Sequence, residues 1–192
     1  FDRREQLKTV VFQEKLGSVY AKTERVALLA RTLAVSTGAD PQVAFRAGEL
    51  CKSDLVTDMV GEFTDLQGVM GRYYALNDGE DSQVAEALLE QYLPRFSGDM
   101  VPRTAVGATL ALADKLDTLV GIFSIGQQPS GSRDPFALRR ASLGILRIII
   151  DSKLDLDLST AIQASAVQFK LEGEALQIIC KQVLAYILDR FK

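Results

Sequence analysis

Apolar residues recur at the spacing of an α-helix along almost the whole chain. In residues 23–38, Val26, Leu29, Ala30 and Leu33 follow the i, i+3, i+4, i+7 pattern, and Gly38 is a natural stop signal. The most apolar segment, residues 104–123, repeats this spacing, whereas strand-like alternation never continues beyond a few residues. The sequence therefore predicts an all-α fold, a multi-helix bundle.

Two Asp-Pro pairs mark expected helix starts. Asp40 precedes Pro41 and Asp134 precedes Pro135, so each aspartate is expected to cap free backbone amides while the proline takes the first helical position. The segment before the second pair, SIGQQPSGSRDP, is the most loop-like of the chain. The final helix carries an apolar stripe that is expected to be buried. This stripe consists of Leu176, Ile179, Cys180, Val183, Leu184 and Ile187.

The composition is that of a folded globular protein, since 47% of the 192 residues are hydrophobic and 24% are charged. No apolar run is long enough to span a membrane. Because the chain opens Phe-Asp-Arg-Arg without an initiator methionine, we expect a piece of a longer protein. The net charge of −3 is unevenly distributed, and residues 101–150 contain six basic and three acidic side chains. A polyanionic partner could therefore bind this local patch.

The chain contains no histidine, which limits the chemistry available to it. Cys51 and Cys180 lie far apart in apolar helical patterns, and we interpret them as reduced core thiols rather than zinc ligands. Catalysis by Ser–His or Cys–His pairs is excluded for lack of histidine, and the common glycine-rich phosphate loops do not occur. The sequence predicts no catalytic residue and no metal site.

Four aspartates leave one metal alternative open. Asp54 and Asp58 would share a helix face and, with Asp114 and Asp117, could bind magnesium through carboxylates alone, although a solvated face is the simpler interpretation. Asp114 lies in the most apolar helix, where a carboxylate is costly unless it is paired. We expect it to be structural, unless this helix turns the Asp114 face to water. Its candidate partners are Lys52 and Lys115.

The segments LARTLAVSTGADPQVAFRAGELCKSDLVTDMVGEF and LALADKLDTLVGIF resemble the layout of HD phosphohydrolase domains. In that family a helical bundle positions a histidine, a His-Asp pair and a later aspartate around a divalent metal. The resemblance places Lys22 at the first histidine, Ser53 and Asp54 at the pair, and Asp114 at the last aspartate. It therefore implies an HD-type bundle with a vestigial pocket. A hydrolase with an unusual metal site stays open as an alternative.

A closer resemblance is to the beta subunit family of bacterial glycine–tRNA ligase. It is carried by KSDLVTDMVGEFTDLQGVMGRYYA and GIFSIGQQPSGSRDPFALRR, and it extends from Phe12 to about Ile150 and, more thinly, to Lys192. The resemblance implies a cytoplasmic heterotetramer that attaches glycine to its tRNA. ATP with magnesium would be used at the alpha subunit, and this chain would hold no cofactor. Its expected partners are glycine tRNA, the alpha subunit and a second beta subunit, with no membrane.

The same resemblance implies a division of the chain. Residues 1–130 would form a degenerate HD-like domain, and residues 131–192 would be a helical extension towards a C-terminal anticodon-binding region. The two parts could also pack as one unit. The chain would itself be non-catalytic, and it would contribute to tRNA binding or, as an alternative, act purely as a scaffold that contacts the alpha subunit.

Two groups of residues are candidates for RNA contact. Arg133 and Arg139 flank an expected helix start, where free amides and the helix dipole favour a phosphate. Arg72 and Tyr73 would offer a guanidinium beside an aromatic ring that can stack on an unpaired base. The complete candidate set is Arg72, Tyr73, Arg133, Arg139, Arg140 and Arg147. Ordinary surface arginines and a core tyrosine are the alternative interpretation.

Overall fold

The computed structural model describes residues 2–191, and within them the regular structure is helical apart from one short hairpin. A short hairpin pairs strand Val11–Gln13 with strand Gly17–Ser18, with Val11 opposite Ser18, and three 3-10 turns cover Leu7–Thr9, Ser53–Val56 and Thr64–Leu66. The elements are α1 (Asp2–Gln6), β1 (Val11–Gln13), β2 (Gly17–Ser18), α2 (Val19–Thr37), α3 (Pro41–Leu50), α4 (Asp58–Glu62), α5 (Val69–Asn77), α6 (Ser82–Glu90), α7 (Ala105–Ser124), α8 (Leu138–Asp151), α9 (Leu158–Val167) and α10 (Gly173–Leu188). The predicted all-α, multi-helix fold is confirmed, while its assignment to the HD type stays a prediction.

Helix α7 is the centre of the bundle. Sixteen of its 20 residues are buried, and α2, α3, α6, α8, α9 and α10 pack around it. A helix that is apolar on all sides is stable only when other elements surround it. Thr104 begins the helix, since its hydroxyl accepts a hydrogen bond from the Gly107 amide. The two acidic residues of its middle, Asp114 and Asp117, are thereby carried into the interior.

Helices α2 and α3 cross in direct backbone contact. A Cβ atom built on Gly48 would lie 2.4 Å from the Cα atom of Ala27, and Ala44 and Ala47 on the same helix are fully buried. Small side chains therefore bring the two axes together. Helix α3 ends at Leu50, close to this crossing. The next two residues, Cys51 and Lys52, are buried beside α7.

One of the two expected Asp-Pro helix starts is confirmed, and the other is displaced. Asp40 Oδ1 accepts hydrogen bonds from the amides of Gln42 and Val43, and α3 begins at Pro41. In contrast, α8 begins at Leu138 instead of Pro135, because Ala137 adopts a left-handed conformation with φ 54°. The Asp134 carboxylate still accepts from the backbone amides at the helix start, at 2.8 and 3.0 Å.

The C-terminal helices share the core of the rest of the chain. One continuous cluster of buried side chains runs from Val26 on α2 to Ile187 on α10. Of the stripe predicted on the last helix, only Val183 and Ile187 are fully buried, and the other four members are half-buried. The division at residue 130 stays a prediction. None of the helices in residues 2–191 has the length and apolar character to cross a membrane.

Candidate functional site: a buried cluster of lysines and aspartates

Lysine and aspartate side chains from three parts of the chain meet in the interior. Lys22 comes from α2, Lys52 follows α3, and Asp114 and Asp117 lie one turn apart on α7. The side chains of both lysines and of Asp117 are at most 7% exposed, and that of Asp114 is 15% exposed. We call these four residues, together with Arg25, the buried ion cluster.

Lys22 joins the two aspartates. Its Nζ atom lies 3.1 Å from Asp114 Oδ1 and 3.0 Å from Asp117 Oδ2. The ammonium group donates hydrogen bonds to Asp117, to the Thr118 hydroxyl and to the Asp114 carbonyl, so its contact with Asp114 Oδ1 is an ion pair without an aligned hydrogen bond. All three of its N–H groups are therefore used inside the protein.

Each of the two aspartates also binds a second cation. Lys52 Nζ donates to Asp114 Oδ2 at 3.0 Å and to the Gln91 side chain at 2.9 Å. Arg25 binds Asp117 through two N–H groups, at 2.7 and 3.2 Å. Each carboxylate is thus held between two cations, as buried charges require. The alternative in which the Asp114 face turns to water is therefore wrong, and the expected pairing of Asp114 with Lys52 is confirmed.

The burial of these charges changes their proton affinities. Burial alone would raise the pKa of Asp114, but Lys22 and Lys52 outweigh it and hold that pKa well below its usual range. Burial opposes the charge of Lys52 as well, yet Asp114 raises its pKa. Both groups are therefore charged at neutral pH. Burial also raises the pKa of the Cys51 thiol to about 12, which keeps it in the unreactive protonated form.

Lys115, the other expected partner of Asp114, points elsewhere. Its Nζ donates to the carbonyls of Gln91 and Leu93, at 3.2 and 2.8 Å. Burial is the main reason that its pKa falls to about 8; Lys52 and Lys22 lower it further, and Asp114 opposes this shift. This lysine therefore holds the turn after α6, and it is still mostly protonated at neutral pH but releases its proton at a lower pH than an ordinary lysine.

The proposed counterpart of the His-Asp pair is not at the cluster. Asp54 is buried, but its Oδ2 atom accepts from the amides of Gly68 and Gly71, at 2.7 and 3.1 Å, and so holds the start of α5. Burial raises its pKa, and these amides oppose the rise. The structure thus brings Lys22 and Asp114 together and places Lys52, instead of Ser53 and Asp54, beside them.

The carboxylates considered for magnesium are not gathered in one place. Asp114 and Asp117 bind lysine and arginine, Asp54 binds backbone amides, and Asp58 lies exposed at the start of α4. Within residues 2–191 no three His, Cys, Asp or Glu side chains are arranged to hold a metal ion. The lysine ammonium groups bind the oxygens that a cation would need, so the cluster acts as an internal ion network.

The sequence did not indicate Arg25 and Asp117 as members of this cluster. Asp117 is considered from the sequence only as one of four possible magnesium ligands, although its spacing of three from Asp114 puts both on one face of α7. Arg25 likewise lies three residues after Lys22 on α2. Two helices that each carry a like-charged pair at this spacing, with opposite signs, were the signal that could have linked them.

The RNA candidates on the 130–140 segment carry no ion pair within the described chain. Arg133 and Arg140 are exposed, and Arg140 donates to the Arg95 carbonyl at 3.3 Å. Arg139 donates to the Gly131 carbonyl. None of the ion pairs found in residues 2–191 includes these three arginines. Asp134, however, already occupies the amides at the start of α8, so these amides are not free for a phosphate.

The remaining RNA candidates differ in charge balance. Arg72 pairs with Glu86 at 2.7 Å, and Arg147 pairs with Asp151 at 3.3 Å. Tyr73 is 57% exposed and therefore is not a core tyrosine. The six candidates thus comprise three arginines without a carboxylate partner in residues 2–191, two neutralised arginines and one exposed ring.

Comparisons with known proteins agree along the whole chain. Residues 1–192 match the family described as glycyl-tRNA synthetase beta subunit. The chain is 56% identical over 191 residues to the glycine–tRNA ligase beta subunit of Marinobacter nauticus, which covers 100% of this chain and 27% of that protein. It is 56% identical over 188 residues to the beta subunit of Pseudomonas putida, with 98% and 27% covered. The chain therefore spans about a quarter of the length of these relatives.

Proposed function

Because the chain belongs to the glycyl-tRNA synthetase beta subunit family, we propose that it helps a cytoplasmic glycine–tRNA ligase to bind glycine tRNA. In this proposal ATP and magnesium act at the alpha subunit, and glycine is attached to the tRNA there. The chain contributes a rigid helical body and a basic surface, within an assembly of two alpha and two beta subunits.

The observation that carries this proposal is the unneutralised charge of the 130–140 segment. Arg133, Arg139 and Arg140 lie within eight residues and pair with no carboxylate of residues 2–191. Guanidinium groups bind phosphates through two parallel hydrogen bonds. A guanidinium group without a carboxylate partner can do so without first breaking an internal ion pair. Arg72 and Arg147 would first have to break their ion pairs with Glu86 and Asp151, so we expect these two arginines to contribute less to tRNA affinity.

Binding of glycine tRNA by the two-subunit enzyme over a series of salt concentrations tests this proposal. The double substitution Arg133→Ala/Arg140→Ala is expected to weaken binding and to flatten the plot of log affinity against log salt by about 0.7–0.9 for each phosphate that is no longer bound. The matched control is Arg72→Ala/Arg147→Ala, which also removes two positive charges but from neutralised positions. Equal slopes for the wild type and the first variant would show that tRNA does not touch this segment.

A scaffold role is the alternative outcome of that experiment. If tRNA affinity and salt slope do not change while the alpha subunit still binds, the 130–140 segment contributes architecture alone. Co-purification of the alpha subunit with the Arg133→Ala/Arg140→Ala variant, in the absence of tRNA, separates the two cases. A hydrolase role finds no support in the geometry, because Asp114 is held by Lys22 and Lys52. We expect no nucleotide phosphatase activity with added manganese or magnesium.

A further inference from the structure

The connection between α6 and α7 contains a loop in which the usual pattern of burial is inverted. Asp99 is only 8% exposed, whereas Phe96 is 61% exposed and Met100 is exposed as well. Charged residues are ordinarily outside and large apolar residues inside, so a buried aspartate beside an exposed phenylalanine is informative. We call residues 95–100 the Phe96 loop.

Asp99 holds the Phe96 loop in one conformation. Its carboxylate accepts hydrogen bonds from the backbone amides of Arg95 and Met100, both at 2.9 Å, and from the Arg95 guanidinium at 3.2 Å. The Asp99 amide donates to the Phe96 carbonyl at 3.2 Å. From α8, Arg140 donates to the Arg95 carbonyl at 3.3 Å. These bonds fix the backbone, so the exposed ring of Phe96 is presented by an ordered loop.

An ordered aromatic ring that faces solvent is well suited to binding. A phenylalanine has only two side-chain torsions, and a fixed backbone loses little further entropy when the ring meets a partner. Single exposed apolar residues are common on protein surfaces. Here, however, Met100 lies in the same loop and enlarges the exposed apolar area. The Phe96 loop therefore has the properties of a contact site.

The charges beside the Phe96 loop favour RNA as the partner. Arg140, which the hydrogen bond to Arg95 joins to the loop, is exposed and pairs with no carboxylate of residues 2–191. Arg103, at the far end of the same connection, is also exposed and belongs to none of the ion pairs found there. The acidic residue of the loop, Asp99, is balanced by Arg95. Unpaired bases stack on aromatic rings, and arginines bind the adjoining phosphates.

Other exposed aromatic side chains lie in a different electrostatic setting. Tyr73 is about as exposed as Phe96, but the arginine before it, Arg72, is paired with Glu86. Phe63 is 56% exposed and directly follows a glutamate. Acidic neighbours repel phosphate, and a paired arginine attracts it less. Of these three rings, Phe96 is the one whose loop is joined to an arginine without a carboxylate partner in residues 2–191.

We propose that Phe96 stacks on an unpaired base of glycine tRNA while Arg140 binds a phosphate next to that base. The inference rests on the proposed tRNA contact of the 130–140 segment and deepens it, because the contact then includes an unpaired nucleotide as well as backbone phosphates. Phe96 is not one of the six residues that the sequence indicated for RNA contact. No bond is made or broken in this interaction.

Binding of glycine tRNA by the two-subunit enzyme over a salt series tests the proposal. Phe96→Ala is expected to weaken binding about 5- to 150-fold, the usual effect of removing an aromatic ring that stacks on a base. The slope of log affinity against log salt is expected to stay that of the wild type, because a stacked ring neutralises no phosphate. The matched control is Phe63→Ala, which removes an equally exposed ring and is expected to bind like the wild type.

Two further substitutions identify what the ring contacts. Phe96→Tyr keeps a flat aromatic face and is expected to keep the wild-type affinity, whereas Phe96→Leu is apolar without such a face and is expected to bind as weakly as Phe96→Ala. Wild-type affinity in Phe96→Leu would contradict stacking. Loss of the alpha subunit from purified Phe96→Ala enzyme would also overturn the proposal, because the ring would then belong to a protein interface.

The salt slope separates this inference from the tRNA contact on which it rests. If Arg133→Ala/Arg140→Ala flattens the slope and Phe96→Ala binds like the wild type, the phosphate contact stands and the stacking is wrong. If neither variant differs from the wild type, both proposals fail.

Fluorescence can detect the stacked base directly. The 192 residues contain no tryptophan, so Phe96→Trp places a single indole at the proposed contact. A base that stacks on an indole ring quenches its fluorescence. Glycine tRNA is expected to quench the difference in signal between this variant and the wild-type enzyme, and a fully base-paired RNA duplex is expected to leave it unchanged. Equal quenching by the two RNAs, or none by glycine tRNA, would refute an unpaired base at Phe96.

Discussion

Asp114 is the residue on which the buried ion cluster depends. Its carboxylate lies between Lys22 and Lys52, so Asp114→Ala would leave two buried ammonium groups close to each other. Removing one partner of a buried ion pair costs about 3–5 kcal/mol, and we expect a loss of this size in the free energy of unfolding measured with urea. The control is Asp151→Ala, which breaks an exposed pair and is expected to cost about 0–1 kcal/mol. Equal losses in the two variants would contradict the structural role of Asp114.

Lys115 predicts a dependence of stability on pH. Its pKa is lowered from 10.5 to about 8 in the folded chain, so the folded state releases a proton near pH 8 while the unfolded state keeps it to about 10.5. The unfolded state therefore binds more protons in this window, and the penalty present at neutral pH is relieved as pH rises. Between pH 7 and 9, the wild type is expected to gain about 1 kcal/mol relative to Lys115→Met.

Denaturant unfolding of both proteins at each pH measures this difference. Cys51 and Tyr92, whose pKa values burial raises to about 12, are present in both proteins and cancel in the comparison. A difference in stability that does not vary with pH would show that Lys115 titrates normally in the folded chain.

The structural role of Asp114 was predictable from the sequence, but its surroundings were not. A carboxylate in an apolar helix must have a partner, which is why Asp114 and its pairing with Lys52 were predictable. The face shared by Asp54 and Asp58 was predicted by continuing α3 past Cys51, and this part is wrong. The helix ends at Leu50, and the 3-10 turn Ser53–Val56 directs Asp54 towards α5.

At the scale of elements, the crossing of α2 and α3 tolerates no added atom. Gly48→Ala would place a Cβ 2.4 Å from the Ala27 Cα, which the backbone must move to accommodate. Overpacking of this kind is expected to lower the free energy of unfolding by about 1–3 kcal/mol. Gly61→Ala is the matched control, because Gly61 is also helical and its Cβ would meet nothing within 4 Å. That change is expected to be neutral or stabilising, by up to about 1 kcal/mol.

Thermal and urea unfolding of the two variants decides this prediction. If Gly48→Ala is as stable as Gly61→Ala, the two helices are not in backbone contact in solution.

Helix starts were predictable where the capping residue immediately precedes the first residue of the helix. Asp40 and Pro41 meet this condition and behave as predicted. At Asp134 the left-handed conformation of Ala137 inserts a turn, and the aspartate caps the helix from four residues away. Alanine gives no sequence signal for that conformation, so the displaced start could not have been foreseen.

At the scale of the whole molecule, the family could be recognised from the sequence. The string GIFSIGQQPSGSRDPFALRR and the blocks around it indicated the beta subunit family, which the match over residues 1–192 confirms. The helical content followed from the apolar spacing. The partial exposure of α10 could not be predicted, because the width of an apolar stripe does not show how many helices pack against it.

The shared core makes a prediction about cooperativity. Buried residues of α8, α9 and α10 pack in the same cluster as those of α2 and α7, so residues 2–191 are expected to unfold in one transition. Urea unfolding followed by far-ultraviolet circular dichroism, together with thermal unfolding followed by calorimetry, measures the number of transitions. Two separate transitions would instead support a division near residue 130.

The central position of α7 also affects how the chain is made. The helix leaves the ribosome before residues 125–188, which contain the three helices that cover one side of it. At about 5–20 residues per second, synthesis of that stretch takes roughly 3–13 s. During this interval the most apolar helix of the chain is only partly covered, so the newly made segment is open to aggregation, or to capture by a chaperone, until α8, α9 and α10 have emerged.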